Sequence, residues 1–207
     1  MLRPLFRSPA FQLVCLLSFT CTIVREAFNN WTPEYLHAYL GYSAGDAGSM
    51  SSIFPAVGAV SVLVTGWLSD RLGVNGRALL MFVGLSTATV ALLALKAVPS
   101  GAGATLIPLL AIGAVAFCLL GPYSYLGGAF ALDFGGKQGS AVASGMIDGI
   151  GYLGGILAGN SVTQISNAYG WQGVFVALAG VTALAAIGAG FLYALRFRAA
   201  SIQQIAQ

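Results

Sequence analysis

The sequence predicts an all-α integral membrane protein with six transmembrane helices, and three observations predict it. Of 207 residues, 57% are hydrophobic and 7% charged, whereas a soluble domain carries about a quarter charged. The apolar residues gather in continuous runs of Leu, Val and Ala that reach the ~20 residues a helix needs to cross hydrocarbon. Those runs do not alternate apolar with polar positions, as the strands of a membrane β-barrel do.

The first span, about 11–35, follows Arg3 and Arg7. It runs past Val24 with no small-x-small cleavage site, so it is a retained helix and not a signal peptide. The second, about 48–68, carries Pro55 and ends beside Trp67 before the polar segment 69–76. The third, about 77–97, and the sixth, about 171–197, contain only scattered Ser and Thr, which predicts lipid-facing helices. The fourth, about 105–132, has Gly121-Pro122 near its centre, where a lost hydrogen bond and a weak turn predict a kink or break. The fifth, about 139–165, contains Gly145, Gly149, Gly151, Gly154, Gly155 and Gly159. Its small residues at spacing four predict close approach of a neighbouring helix. No long loop or low-complexity tract divides the chain, so residues 1–207 read as one transmembrane domain.

An even number of crossings puts both termini on one side. Arg3, Arg7, Arg71, Arg77, Lys137, Arg196 and Arg198 fall on that side and only Lys96 on the other. The positive-inside rule therefore places both termini in the cytoplasm, with the chain multi-pass in a bacterial-type inner (plasma) membrane. Trp31, Tyr35, Tyr39, Tyr42, Tyr169 and Trp171 mark the outer interface, and Trp67, Tyr193 and Phe197 the inner one.

Several function classes are excluded. A net charge of +3 is too small for a nucleic-acid binder. His37 has no neighbouring ligand set, so no metal is expected, and Cys15, Cys21 and Cys118 lie in apolar runs as small hydrophobes. The letters of a dinucleotide fingerprint at 149–154 fall inside a membrane helix with no preceding strand, so no cofactor is expected. No nucleophile and base are paired, so the chain does not read as an enzyme.

The most informative residue is Arg25, near the middle of the first span, where an arginine costs at least ~2.5 kcal/mol. Ser18, Thr22, Arg25, Asn29 and Thr32 recur at steps of four, three, four and three, which is one face of a helix. The functional reading is a water-filled pathway in which the guanidinium fork grips an oxyanion. The structural reading is a buried ion pair with Glu26, Asp148 or a partner outside the chain. Glu26, about 100° around the helix from Arg25, is expected to point away from that groove as a structural pair or a protonated acid. Three roles are open to Asp148 in the fifth span: carrying a proton, pairing with a cation, or locking two helices together.

Four segments resemble the C-terminal half of a major facilitator superfamily transporter, and specifically the organophosphate:phosphate antiporters. The run from Arg25 through Trp31-Thr32-Pro33-Glu34-Tyr35-Leu36 resembles their seventh helix, an arginine preceding a Trp-Ser/Thr-Pro-x-Tyr-Leu motif. Gly66-Trp67-Leu68-Ser69-Asp70-Arg71-Leu72-Gly73 resembles the superfamily's cytoplasmic loop, and Gly121-Pro122 and Gly151-Tyr152-Leu153-Gly154-Gly155 resemble the tenth and eleventh helices. The resemblance implies that Arg25 is one of two phosphate-binding arginines and that Tyr152 faces the cavity. Asp148 stands where the family has a small residue, and Leu120 where it commonly has a tyrosine.

The expected function is exchange of an organophosphate, a sugar phosphate or glycerol phosphate, for inorganic phosphate by alternating access. Arg25 would hold the phosphoryl oxygens, Asn29 and Tyr152 would orient them, Tyr123 would contact the carbon skeleton and Asp148 would tune or couple. Two alternatives stay open: a membrane sensor of sugar phosphates, and proton-coupled transport of a non-phosphorylated solute. The expected partners are the lipid bilayer, a small anionic substrate, and either a missing N-terminal six-helix half or a second six-helix unit. Of these last two the missing half, with the chain as a fragment, is favoured.

Overall fold

The computed structural model describes residues 5, 7–101 and 106–205. Arg3 and Thr105 lie outside the described residues. Helix α1 spans Pro9–Glu34; Ser8 caps it, its hydroxyl accepting from the Phe11 N–H at 3.4 Å. Helix α2, Ala44–Ser51, is a short segment capped by Ser43. Helices α3 (Ile53–Lys96), α4 (Ile107–Tyr125) and α5 (Ala131–Ile205) make up most of the rest. Among the described residues, four stretches are long and apolar enough to cross a membrane: Pro9–Tyr39, Ala44–Gly73, Gly76–Lys96 and Ile107–Leu195.

The last of these holds 89 residues, roughly 130 Å if straight, against ~30 Å of hydrocarbon. It does not run straight. Gly136 and Gly170, like Gly73 in α3, have φ of 60–70° with an extended ψ, a region essentially confined to glycine. The contacts show that the chain reverses at each. Gly151 packs against Ser18 and Thr22, and Gly155 against Thr22 and Glu26, so the arm 137–169 runs parallel to α1. Trp171 and Phe175 pack on Tyr35, and Gly188 on Leu13 and Leu17, so the arm 171–205 runs antiparallel. In the same way, Tyr125 donates to the Thr65 carbonyl from a helix parallel to 53–72. Gly84 lies against the Cys118 carbonyl, and Arg77 reaches Asp133, from an arm antiparallel to α4. The polar segments 69–76 and 133–138 are therefore helix ends that meet at Gly73 and Gly136.

Two helices with an internal proline pass into a π-turn, Tyr35–Tyr39 after Pro33 and Leu126–Phe130 after Pro122. The disturbance expected at Gly121-Pro122 therefore falls four residues downstream. At the proline itself the helix continues because neighbours occupy the loosened carbonyls. Gly84 comes up against the Cys118 oxygen, which Pro122 cannot satisfy, and the Ser61 hydroxyl donates to the Phe117 carbonyl.

The core runs along α1, with Phe11, Val14, Leu17 and Val24 almost fully buried and Phe28 stacked on Phe54 at 5.0 Å. Outside, Leu63, Leu110, Ile156, Leu184 and Phe191 are each more than 60% exposed, an apolar exterior that suits hydrocarbon and not water. The arms 76–96 and 171–205 do not face lipid all round. Met81, Leu85, Leu92 and Leu95 form a buried stripe on the first, and Ala185, Ala189 and Leu192 on the second. The least buried span is Ala44–Gly73, 22% against 39% for Gly76–Lys96. Both arms also expose apolar side chains, Val83 and Val90 on the first and Leu184 and Phe191 on the second, and Ser86 and Thr87 are satisfied within their own helix by the carbonyls four residues back.

Candidate functional site

Arg25 sits on α1 where α4 and the arm 137–169 converge. Its Nε and Nη2 both donate to Glu26 Oε1, at 3.0 and 2.7 Å, and Nη1 donates to the Tyr123 hydroxyl at 3.2 Å. The guanidinium carbon lies 5.0 Å from the centre of the Tyr123 ring and 5.8 Å from that of Tyr152, within the range of cation–π attraction. The Tyr123 hydroxyl is also 3.2 Å from that of Thr22. Asn30 completes the array, its Nδ2 donating to Glu26 Oε2 at 3.2 Å and to the Glu26 carbonyl at 2.9 Å.

An open groove of about 360 Å³ is lined by Arg25, Asn29, Pro55, Gly58, Leu120, Tyr123 and Ser124, among others. The sequence-predicted residues Arg25, Asn29 and Tyr123 thus share one groove, and Tyr152, 59% exposed, reaches Arg25 from the adjoining arm. Tyr123 lines the groove and its hydroxyl and ring also hold the guanidinium. Asp148 does not join them. Its carboxylate accepts from Ser144 Oγ at 3.3 Å and lies over Gly127, where a Cβ would be 2.9 Å from Oδ1. The partner of Arg25 is Glu26, not Asp148.

Glu26, as expected, does not line the groove and is a structural pair: 100° of helix rotation is bridged because both side chains are long and bend toward each other along the surface. The polar stripe as a whole is not a water-lined path. Ser18 and Thr22 are buried beneath Gly151, and Thr32 is buried and bonded to the Phe28 carbonyl. Only Arg25 and Asn29 of the five line the groove. The close approach that buries Ser18 and Thr22 belongs to Gly151, Gly154 and Gly155, while Gly145, Gly149 and Gly159 face open space. Sequence reasoning missed Asn30 as a site residue; its signal was a position four residues after Glu26.

The helices and the groove define a class: an apolar helical membrane protein with a cationic polar groove between its helices. Comparison with known proteins agrees. The model of the Major Facilitator Superfamily matches residues 1–159. The chain belongs to that superfamily and is an integral membrane protein. It is 31% identical over 172 residues to the probable hexose phosphate transport protein of Chlamydia pneumoniae, covering 81% of this chain and 36% of that one. It is 30% identical over 179 residues to the membrane sensor protein UhpC of Escherichia coli, covering 83% and 40%. To the glycerol-3-phosphate transporter of Bacillus subtilis it is 27% identical over 156 residues, covering 75% and 34%. The chain thus spans between a third and two fifths of the length of these relatives.

Proposed function

We propose that the chain forms six membrane crossings, one half of a major facilitator fold with both termini cytoplasmic. In this reading the helices broken at Gly73, Gly136 and Gly170 are separate crossings, each too long otherwise for one bilayer. A further six-helix unit faces the groove and completes it. The protein exchanges an organophosphate, a hexose phosphate or glycerol phosphate, for inorganic phosphate by alternating access, with Arg25 the phosphoryl ligand and Asn29, Tyr123 and Tyr152 around it.

One observation carries this reading: a guanidinium held against two tyrosines at an open groove, on a helix long and apolar enough to cross a membrane. The planar fork of a guanidinium matches an oxyanion in bidentate geometry. The names of the relatives support the substrate class. Asp148, whose carboxylate lies over Gly127 of the π-turn and accepts from Ser144, acts on the helix pairing and not on the phosphate.

The test is counterflow of radiolabelled phosphate in proteoliposomes of the full-length protein. Arg25→Lys keeps the charge and loses the fork; exchange is expected to fall at least tenfold, and undiminished exchange overturns the reading. The likeness to a membrane sensor favours a second outcome: saturable binding of a sugar phosphate with no flux makes the protein a receptor.

A further inference from the structure

The hydrogen bonds of Arg25 leave little for a substrate. A guanidinium has five N–H donors. The Nε–Nη2 edge, which an oxyanion grips with two parallel bonds, is occupied by Glu26 Oε1, and one Nη1 donor by Tyr123. An anion on the remaining donors would sit beside the Glu26 carboxylate. Arg25 is the one charged residue lining the groove, and with Glu26 it forms a pair of zero net charge. A phosphoryl dianion therefore meets repulsion and little attraction unless the carboxylate moves.

We propose that Glu26 is a built-in competitor for the anion, and that the phosphoryl group binds Arg25 by displacing it from the Nε–Nη2 edge. The inference rests on the reading of Arg25 as the phosphoryl ligand and deepens it by naming the residue that sets the affinity. The displaced carboxylate has somewhere to go. Its other oxygen is already held by Asn30 one turn along, and its side chain is 23% exposed. Displacement swaps one oxyanion for another at the same pair of donors, so the bond count is kept and the net affinity stays moderate. A moderate affinity suits an exchanger, which must release each of its substrates. The pair also compensates the arginine within the membrane whenever no anion does.

The test is titration of the full-length protein in lipid nanodiscs with inorganic phosphate, for the native protein, Glu26→Gln, Glu26→Asp and Arg25→Lys. Thermal unfolding of each variant establishes that it is folded. Glu26→Gln keeps the shape and removes the charge; it is expected to tighten phosphate binding about tenfold, which is 1.4 kcal/mol. Glu26→Asp, one methylene short of the guanidinium edge, is expected to tighten it about threefold. If Arg25→Lys weakens binding while Glu26→Gln leaves it unchanged or weaker, the competitor is overturned and the phosphoryl ligand stands. If Arg25→Lys binds as the native protein does, or none of the four binds phosphate, both fall.

Discussion

Gly154 is where the packing of this membrane domain can be tested most sharply. A Cβ there would collide with the Phe19 backbone carbonyl and lie 3.1 Å from Ile23 Cγ1, where ordinary contact begins at 3.4 Å. The Phe19 oxygen belongs to α1 and cannot rotate away, so Gly154→Ala forces the arm 137–169 off the helix. An opening of about 1 Å forfeits a quarter to a half of each contact's dispersion energy. In a bilayer that packing, more than hydrophobic burial, holds helices together. Overpacking costs about 1–3 kcal/mol, offset by about 1 kcal/mol because alanine favours helix over glycine. The expected net effect is a loss of up to about 2 kcal/mol. Gly180 is the control: a Cβ there meets nothing within 4 Å, and it shares its stripe with exposed Leu184, Ile187 and Phe191. Gly180→Ala is expected to be neutral or up to about 1 kcal/mol stabilising. The assay is equilibrium unfolding in mixed micelles, following helicity and intrinsic fluorescence. Equal stability of Gly154→Ala and Gly180→Ala would refute the close approach of α1 to this arm.

Three further outcomes follow from the same geometry. Tyr123→Phe removes the hydroxyl that receives Arg25 Nη1 but keeps the ring, and is expected to cost about 1 kcal/mol in the same unfolding assay. Tyr123→Leu also removes the cation–π contact and should cost about 0.5–1 kcal/mol more. Ser18→Ala should be neutral or about 1 kcal/mol stabilising, because the Ser18 hydroxyl is buried without a hydrogen-bond partner among the described residues; clear destabilisation would show that it has one. A double-mutant cycle on Arg77 and Asp133, paired at 3.3 Å with side chains 22% and 24% exposed, should give a coupling of about 0.5 kcal/mol that shrinks in high salt.

The helical class and the rough position of each apolar run were legible because hydropathy averages over ~20 residues, the scale on which a bilayer acts. What escaped that average was decided by single residues. Nothing in composition separates Gly73, Gly136 and Gly170, which reverse the chain, from Gly154, which admits a neighbouring carbonyl, or Gly180, which touches nothing. Each role depends on what lies opposite, and opposition is a property of the fold. The same holds at the site. Arg25, Asn29, Tyr123 and Tyr152 could be gathered from helical spacing and resemblance. The Glu26 pairing stood there only as one alternative among three, since helical phase counts where side chains start and ignores how far long ones reach.

The π-turn at Leu126–Phe130 carries a consequence for how the sequence tolerates length changes. A π-turn amounts to one residue more than an α-helix requires, so everything beyond it is rotated by about 100° relative to an uninterrupted helix. Phe134 meets Phe11 edge-on at 5.4 Å, and Asp133 meets Arg77, only in that rotated register. Deleting one residue within 126–130 would restore a regular helix and swing both side chains off their partners. In this protein an indel map would therefore locate the π-turn as a short stretch, deep in a helix, whose length is fixed to the residue.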